Sequence, residues 1–248
     1  MEGREKAFIQ ALLGFETGLS SVQRQAVKDA MNRIGGGYVI NVLDFNYTEP
    51  VDVLIRSIRS GKAGLGRRQY NGREMSNEIR MPVHVHGTTR RHMVLGVAGD
   101  SQIKNLELFA DASPIYKQSL IKQQTNALYE ERTDELGRDI IKNSDIIYIY
   151  GMSLGDTDEM WWRRIVQAMR NRSNLHVFIY GYGLPQDELL MTDRKIQEEN
   201  LKDRLLSFSE GDGSALKPRI HVVSHNIFSE FEGIASSKED VAEGKTAI

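Results

Sequence analysis

Short runs of adjacent apolar residues alternate along this chain with longer stretches in which apolar positions recur every three or four residues. The short runs are Tyr38 to Phe45, Val83 to Val85, Met93 to Val97, Ile146 to Tyr150, His176 to Tyr180 and Ile220 to Val223. They are rich in β-branched and aromatic residues and bounded by turn residues, which predicts strands. Ile146-Ile147-Tyr148-Ile149-Tyr150 and Val177-Phe178-Ile179-Tyr180 are apolar on both faces, the pattern of parallel strands covered by helices on two sides. The longer stretches predict helices. The first runs from a Ser21 cap to about Arg33, with Val22, Ala26, Ala30 and Ile34 on its inner face. Others cover Glu49 to Arg59, Pro114 to Tyr129, Thr133 to Lys142, Asp156 to Asn171 and Gln186 to Leu206. This succession predicts an α/β protein with a Rossmann-like, doubly wound, mainly parallel sheet flanked by helices. The domain reading is a helical N-terminal segment at 1–37, a Rossmann-like domain at 38–234 and a flexible tail at 235–248. Within the domain, the Arg-bearing stretch 61–80 reads as a basic insertion loop.

Composition narrows the class. The chain has 248 residues, of which 40% are hydrophobic and 27% charged, and this excludes a largely disordered protein. Thirty-two basic against thirty-four acidic side chains leave a net charge of −2, so no overall field draws it to nucleic acid or to an anionic membrane. There is no cysteine, which removes disulfides, thiolate zinc sites and cysteine nucleophiles and fits a reducing cytoplasm. No run approaches the ~20 apolar residues of a membrane helix. The expectation is a cytoplasmic protein without membrane contact.

Ligands of open α/β sheets gather at the carboxyl ends of the strands, and that rule selects three places. The first is Asp44-Phe45-Asn46-Tyr47-Thr48, where Asn46 or Thr48 can cap the following helix, or the Asn46 amide can orient a sugar hydroxyl or a water. The second is His84-Val85-His86-Gly87-Thr88. Here His86 is the candidate for acid–base work because imidazole titrates near neutrality. His84 and His86 would share a strand face by the two-residue period. A metal held by them and His92 is disfavoured, since no acidic ligand motif accompanies them, and no metal is expected. The third is Tyr150-Gly151-Met152-Ser153-Leu154-Gly155-Asp156-Thr157-Asp158, a strand-to-helix turn in which Asp156 and Glu159 resemble a capping box. Its carboxylates compete with an anion for the helix N–H groups, so a ribose or base contact suits it better than pyrophosphate. Gly35-Gly36-Gly37 precedes a strand instead of following one and reads as a turn. Lys62, Arg67, Arg68, Arg73 and Arg80 read as a solvated basic loop rather than a clamp for a phosphate or nucleic acid. Trp161 and Trp162 read as one core ring and one partly exposed ring.

Taken in order, Phe45-Asn46-Tyr47-Thr48, His86-Gly87 followed by Met93 to Gly96, and Ile149 through Asp158 resemble the bacterial AbiH family, associated with abortive infection of phage-infected cells. The pattern is also distantly similar to sirtuin-like domains, several of which are NAD glycohydrolases in phage defence. What the resemblance implies is a nucleotide pocket. Asn46 would position the ribose or a water and His86 would act as general base, these two being the catalytic pair. Tyr47, Thr48, Gly87, Gly151, Ser153, Leu154 and Asp158 would contact the cofactor, with NAD as the substrate. Two readings stay open: an NAD glycohydrolase, or a non-catalytic nucleotide-binding or phage-sensing module. The expected partners are a small nucleotide, a phage component and a second copy of the chain, but not nucleic acid. Family members open with an apolar strand and a Gly-x-Gly-Phe-Asp-like turn, whereas this chain offers only Leu12-Leu13-Gly14-Phe15-Glu16 in a helix-like context. The expectation is therefore a sheet lacking its first strand and a chain that binds NAD poorly.

Overall fold

The computed structural model describes all residues except 1, 15, 17–18, 33–34, 61–64, 98, 110–112, 129–131, 185–190 and 225–248. The chain divides into two compact units, one drawn from residues 1–41 and 50–81 and the other from 42–49 and 82–224.

The first unit holds helices α1 (Glu2–Leu13), α2 (Ser21–Asn32) and α3 (Pro50–Ser60), with α1 packed on α3 and the Ser57 hydroxyl donating to the Glu5 carboxylate. The capping box of α2 is made by Ser20, not Ser21: the Gln23 amide N–H donates to Ser20 Oγ at 3.3 Å, and Ser20 N–H donates to Gln23 Oε1 at 3.0 Å. Its buried stripe is Val27, Ala30 and Met31, while Val22 is 78% exposed, so the inner face is rotated from the one the spacing predicts. Strand β1 (Val39–Ile40) pairs in parallel with β5 (Glu78–Ile79). Between them, β3 (Arg67–Tyr70) and β4 (Arg73–Ser76) form an antiparallel hairpin. The expected basic loop is thus folded over those residues. Asn71 and Gly72 turn the hairpin with φ of 48° and 74°, the positive values that a two-residue turn of this twist requires. Arg68 is held there by Met31, whose carbonyl accepts from Nη2 at 2.7 Å, and by the Tyr38 and Tyr70 rings.

In the second unit, β2 (Leu43–Asp44) pairs in parallel with β6 (Val83–His84). Three strands, β7 (Ile146–Ile149), β8 (His176–Tyr180) and β9 (Ile220–Val223), form a parallel sheet in that order. Helices α6 (Thr133–Asn143), α7 (Glu159–Asn171) and α8 (Met191–Leu206) alternate with these strands. The fold is therefore α/β with small parallel sheets flanked by helices. The long strand expected over Tyr38 to Phe45 is split into β1 and β2, which belong to different sheets. Met93 to Val97 forms no ladder. Of its residues Val94 is fully buried, Leu95 is 59% exposed, and a single bridge joins Val97 to Ile121. The helix expected over Pro114 to Tyr129 is broken into α4 (Pro114–Gln118) and α5 (Lys122–Leu128). Val97 N–H donates to the Leu120 carbonyl at 2.9 Å and Lys122 N–H to the Val97 carbonyl at 3.0 Å, bonds that a continuous helix would use internally.

The core of this unit gathers Ile149, Leu154, Trp161, Trp162, Ile165, Met169, Val177 and Ile179 beneath α7. Both tryptophans are buried, at 2% and 1% exposure, so neither is the partly exposed ring the sequence suggests. Adjacent helix positions can both be buried because Trp162 Nε1–H finds the Gly155 carbonyl at 2.9 Å while Trp161 packs across Gly137 of α6.

Candidate functional site

The site grows from main-chain breaks in the second unit. Strand β6 ends at His84, and the chain turns through Val85 and His86 into Gly87, whose φ is +66°. A Cβ on Gly87 would lie 2.0 Å from the His92 carbonyl oxygen, so this turn requires glycine. The turn separates the two imidazoles. His84 Nδ1 faces the Asp44 carboxylate at 3.8 Å, whereas His86 leaves on another course, so the shared face expected from strand spacing is not formed.

His86 is 4% exposed, and its Nε2 lies 2.9 Å from Asp158 Oδ1. Lys122, placed at the start of α5 by the break at Val97, donates from Nζ to the same Asp158 oxygen at 2.8 Å, with Nζ 3.3 Å from His86 Nε2. Burial pushes the Asp158 carboxyl up, but the His86 and Lys122 hydrogen bonds and the Lys122 charge outweigh it and hold the group at about 2. It is a carboxylate at any physiological pH. The Asp158 carboxylate favours a proton on Nε2, the nitrogen it faces. Nδ1 is buried and has no hydrogen-bond partner among the described residues.

Behind the imidazole is a cavity of about 10 Å³, lined by His86, Lys122, Asn126, Asp134, Asp158 and Trp161 among others. That is space for about one water. Asp134 contributes Oδ1, which is also buried and unpartnered among the described residues. Burial raises the Asp134 carboxyl above its ordinary value; Arg164, an Asn126 hydrogen bond and His86 offset this only in part. Phe45 packs edge-on against His86 and Trp161, at centroid distances of 5.6 and 5.7 Å, and stacks on Trp162 at 6.1 Å. The result is a buried imidazole, oriented by a carboxylate and a lysine, in the lining of a water-sized space. Chemically it is an oriented base.

The other expected residues lie variously. Tyr47 is close, its ring 6.3 Å from that of His86 and its hydroxyl donating to the Val94 carbonyl at 3.1 Å; burial and the Asp158 charge raise its pKa. Asn46 is exposed, and its amide donates to Asp44 Oδ1 at 3.0 Å, away from the His86 cavity lining. Thr48, Gly151 and Ser153 are exposed. Leu154 is wholly buried in the core with φ of 52°, and its carbonyl accepts from Arg204 Nε at 3.0 Å. The capping box expected of Asp156 and Glu159 is not made. Asp156 Oδ1 accepts instead from Arg204 Nη2 at 2.6 Å, and Glu159 faces Arg163 at 3.5 Å.

A family model described as bacteriophage abortive infection AbiH matches residues 8–180 of the chain. The chain belongs to the AbiH family. The match takes in every residue of the His86–Asp158–Lys122 cluster and both tryptophans of this AbiH chain. Searches of curated proteins and of solved structures return no match. Among the described residues no AbiH helix is long and apolar enough to cross a membrane. Sequence reasoning missed Lys122, Asp134 and Asn126, which come to His86 from α5 and α6. The signal available for Lys122 was a break in helix periodicity near Leu120-Ile121, two adjacent apolar residues followed by a cation.

Proposed function

We propose that this AbiH protein acts in abortive infection through a hydrolytic centre built on His86, and that its substrate is a nucleotide, with NAD the first candidate. The observation that supports this most is the His86 imidazole, held at Nε2 by Asp158 and Lys122, with Nδ1 unpartnered among the described residues and the side chain lining a water-sized cavity. In the reaction, His86 Nδ1 takes a proton from water as the water oxygen bonds to the sugar C1′. The C1′–N bond breaks and nicotinamide leaves with the bonding pair, giving ADP-ribose. Asp158 keeps the ring in its tautomer and balances the imidazolium that forms. Asn46, Tyr47 and Thr48 are the proposed contacts on the sugar side, and Gly87, Gly151 and Ser153 on the nucleotide side. A Rossmann-like domain in the cytoplasm, sensing a phage component as a homo-oligomer, is the wider form of the proposal. It rests on the strand–helix alternation and on the family.

The size of the cavity favours a second reading. A space of about 10 Å³ beside His86 holds no ribose unless the Lys122–Asp158 contact opens, which suits a module that binds and signals without turnover. The experiment is incubation of the purified chain with NAD, with chromatographic detection of nicotinamide, alongside His86→Ala and Asn46→Ala. Release abolished by His86→Ala supports the hydrolytic centre, and release unaffected by it refutes the assigned base. NAD-dependent stabilisation without any product supports the binding module.

A further inference from the structure

Away from His86, helices α6 and α7 enclose a groove of about 390 Å³, a volume within the range of small-molecule sites. Its rim is basic. Five cationic side chains line it (Arg138 and Lys142 from α6, Arg163, Arg164 and Arg170 from α7) against the single acid Glu210. The spacing explains the stripe: residues 138 and 142 are one turn apart on α6, while 163, 167 and 170 follow the same face of α7. Beneath the charges the aliphatic stems of the arginines and Lys142, with the barely exposed edges of Ile141, Val166 and Phe208, give the groove an apolar wall.

Internal partners account for only part of this charge. Arg170 is engaged by the Ser209 hydroxyl and by the Glu210 and Asp212 carbonyls, so it fastens the turn after α8. Arg164 lies over the Trp161 ring at 4.6 Å and donates to the Asp134 carbonyl at 3.2 Å. Among the described residues Arg163 and Arg138 have only loose carboxylates, Glu159 at 3.5 Å and Asp139 at 3.9 Å, and both side chains are at least half exposed. Lys142 makes no ion pair among the described residues. Burial lowers the Arg164 pKa, the Asp134 charge opposes this, and Arg138 adds to the lowering.

We propose that this groove is a second, anion-binding site that takes a mononucleotide. The phosphates would be held by Arg138, Lys142 and Arg163, and the base would lie against the apolar wall. A phosphate answers the uncompensated charge, because guanidiniums pair its oxygens through two donors at once. The apolar wall selects a ligand with a flat organic part over a bare anion. The concave form of the groove favours a single nucleotide over an extended strand, whose backbone would follow a longer charged stripe.

Calorimetric titration with ADP tests this, with adenosine, inorganic pyrophosphate and a ten-nucleotide oligouridine as parallel ligands. The expected result is that ADP binds, adenosine binds at least ~10-fold more weakly, and pyrophosphate falls between them. Arg138→Glu and Lys142→Glu, both at exposed helix positions, should each weaken ADP by about tenfold, and Glu210→Gln should tighten it. The component of ADP binding that Arg138→Glu removes should persist in His86→Ala, which separates this groove from the first centre. The proposal is overturned by absence of ADP binding, by ADP binding indifferent to both charge reversals, or by binding lost in His86→Ala. Oligouridine bound where ADP is not would equally overturn it, in favour of a nucleic-acid backbone.

Discussion

Replacing Asp158 by Asn removes the anion that Lys122 and His86 share while keeping its volume. The magnitude follows from the carboxyl's fall from 3.8 to about 2 on folding. At ~1.4 kcal/mol for each tenfold change, this corresponds to about 2 kcal/mol of stability. The side chain is only 17% exposed, so solvent screening takes little from it. Because the folded value lies below the unfolded one, the contribution is complete above about pH 4 and is lost as pH falls towards 2. By pH 3 about half is gone. Urea denaturation followed by tryptophan emission at pH 5, 4 and 3 measures this, taking the difference between wild type and Asp158→Asn so that other acids cancel. The variant should be less stable at pH 5, and the gap should narrow by about 1 kcal/mol at pH 3. At neutral pH the variant's amide oxygen still accepts a hydrogen bond but carries no charge, so the loss should stay at ~2 kcal/mol. A gap that stays constant across the three pH values would refute the shared hydrogen bonds at Asp158.

Gly137→Ala places a methyl 2.4 Å from two Trp161 ring carbons. Overpacking of this kind costs about 1–3 kcal/mol, against up to ~1 kcal/mol gained in helix propensity, so a lower melting temperature is expected. His221 stacks against Phe178 and meets His176 Nδ1 through its own Nε2 at 2.9 Å; burial, with His176 and Lys202 adding to it, pushes its pKa down to about 4. Since that folded value lies below the unfolded one, stability should fall as pH drops from about 6.5 towards 4. His221→Gln should flatten this part of a pH–melting curve.

The strands of the three-stranded sheet were legible because adjacent β-branched and aromatic residues leave few alternatives: β8 and β9 form over the residues their composition selects. Helix α7 was legible for its strong one-sided pattern, although its predicted cap was not, since Arg204 from a distant helix takes Asp156. The hairpin of β3 and β4 is hard to read because its strands, Arg67–Tyr70 and Arg73–Ser76, are polar and charged, which leaves the Asn71-Gly72 pair as the turn signal. In the site, His86 and Asp158 could be named from strand ends. Their partnership could not, because 72 residues separate them and no local period joins them. Lys122 depended on main-chain bonds at Val97 that break a helix, a tertiary effect overriding propensity.

The chain contains two tryptophans, and Phe45 joins both of them to the His86 ring. Its tryptophan emission therefore arises from one neighbourhood instead of being averaged over the molecule. Events at that histidine, such as arrival of a ligand or parting of the lysine from its carboxylate, would register optically without a label, while changes elsewhere would stay nearly dark.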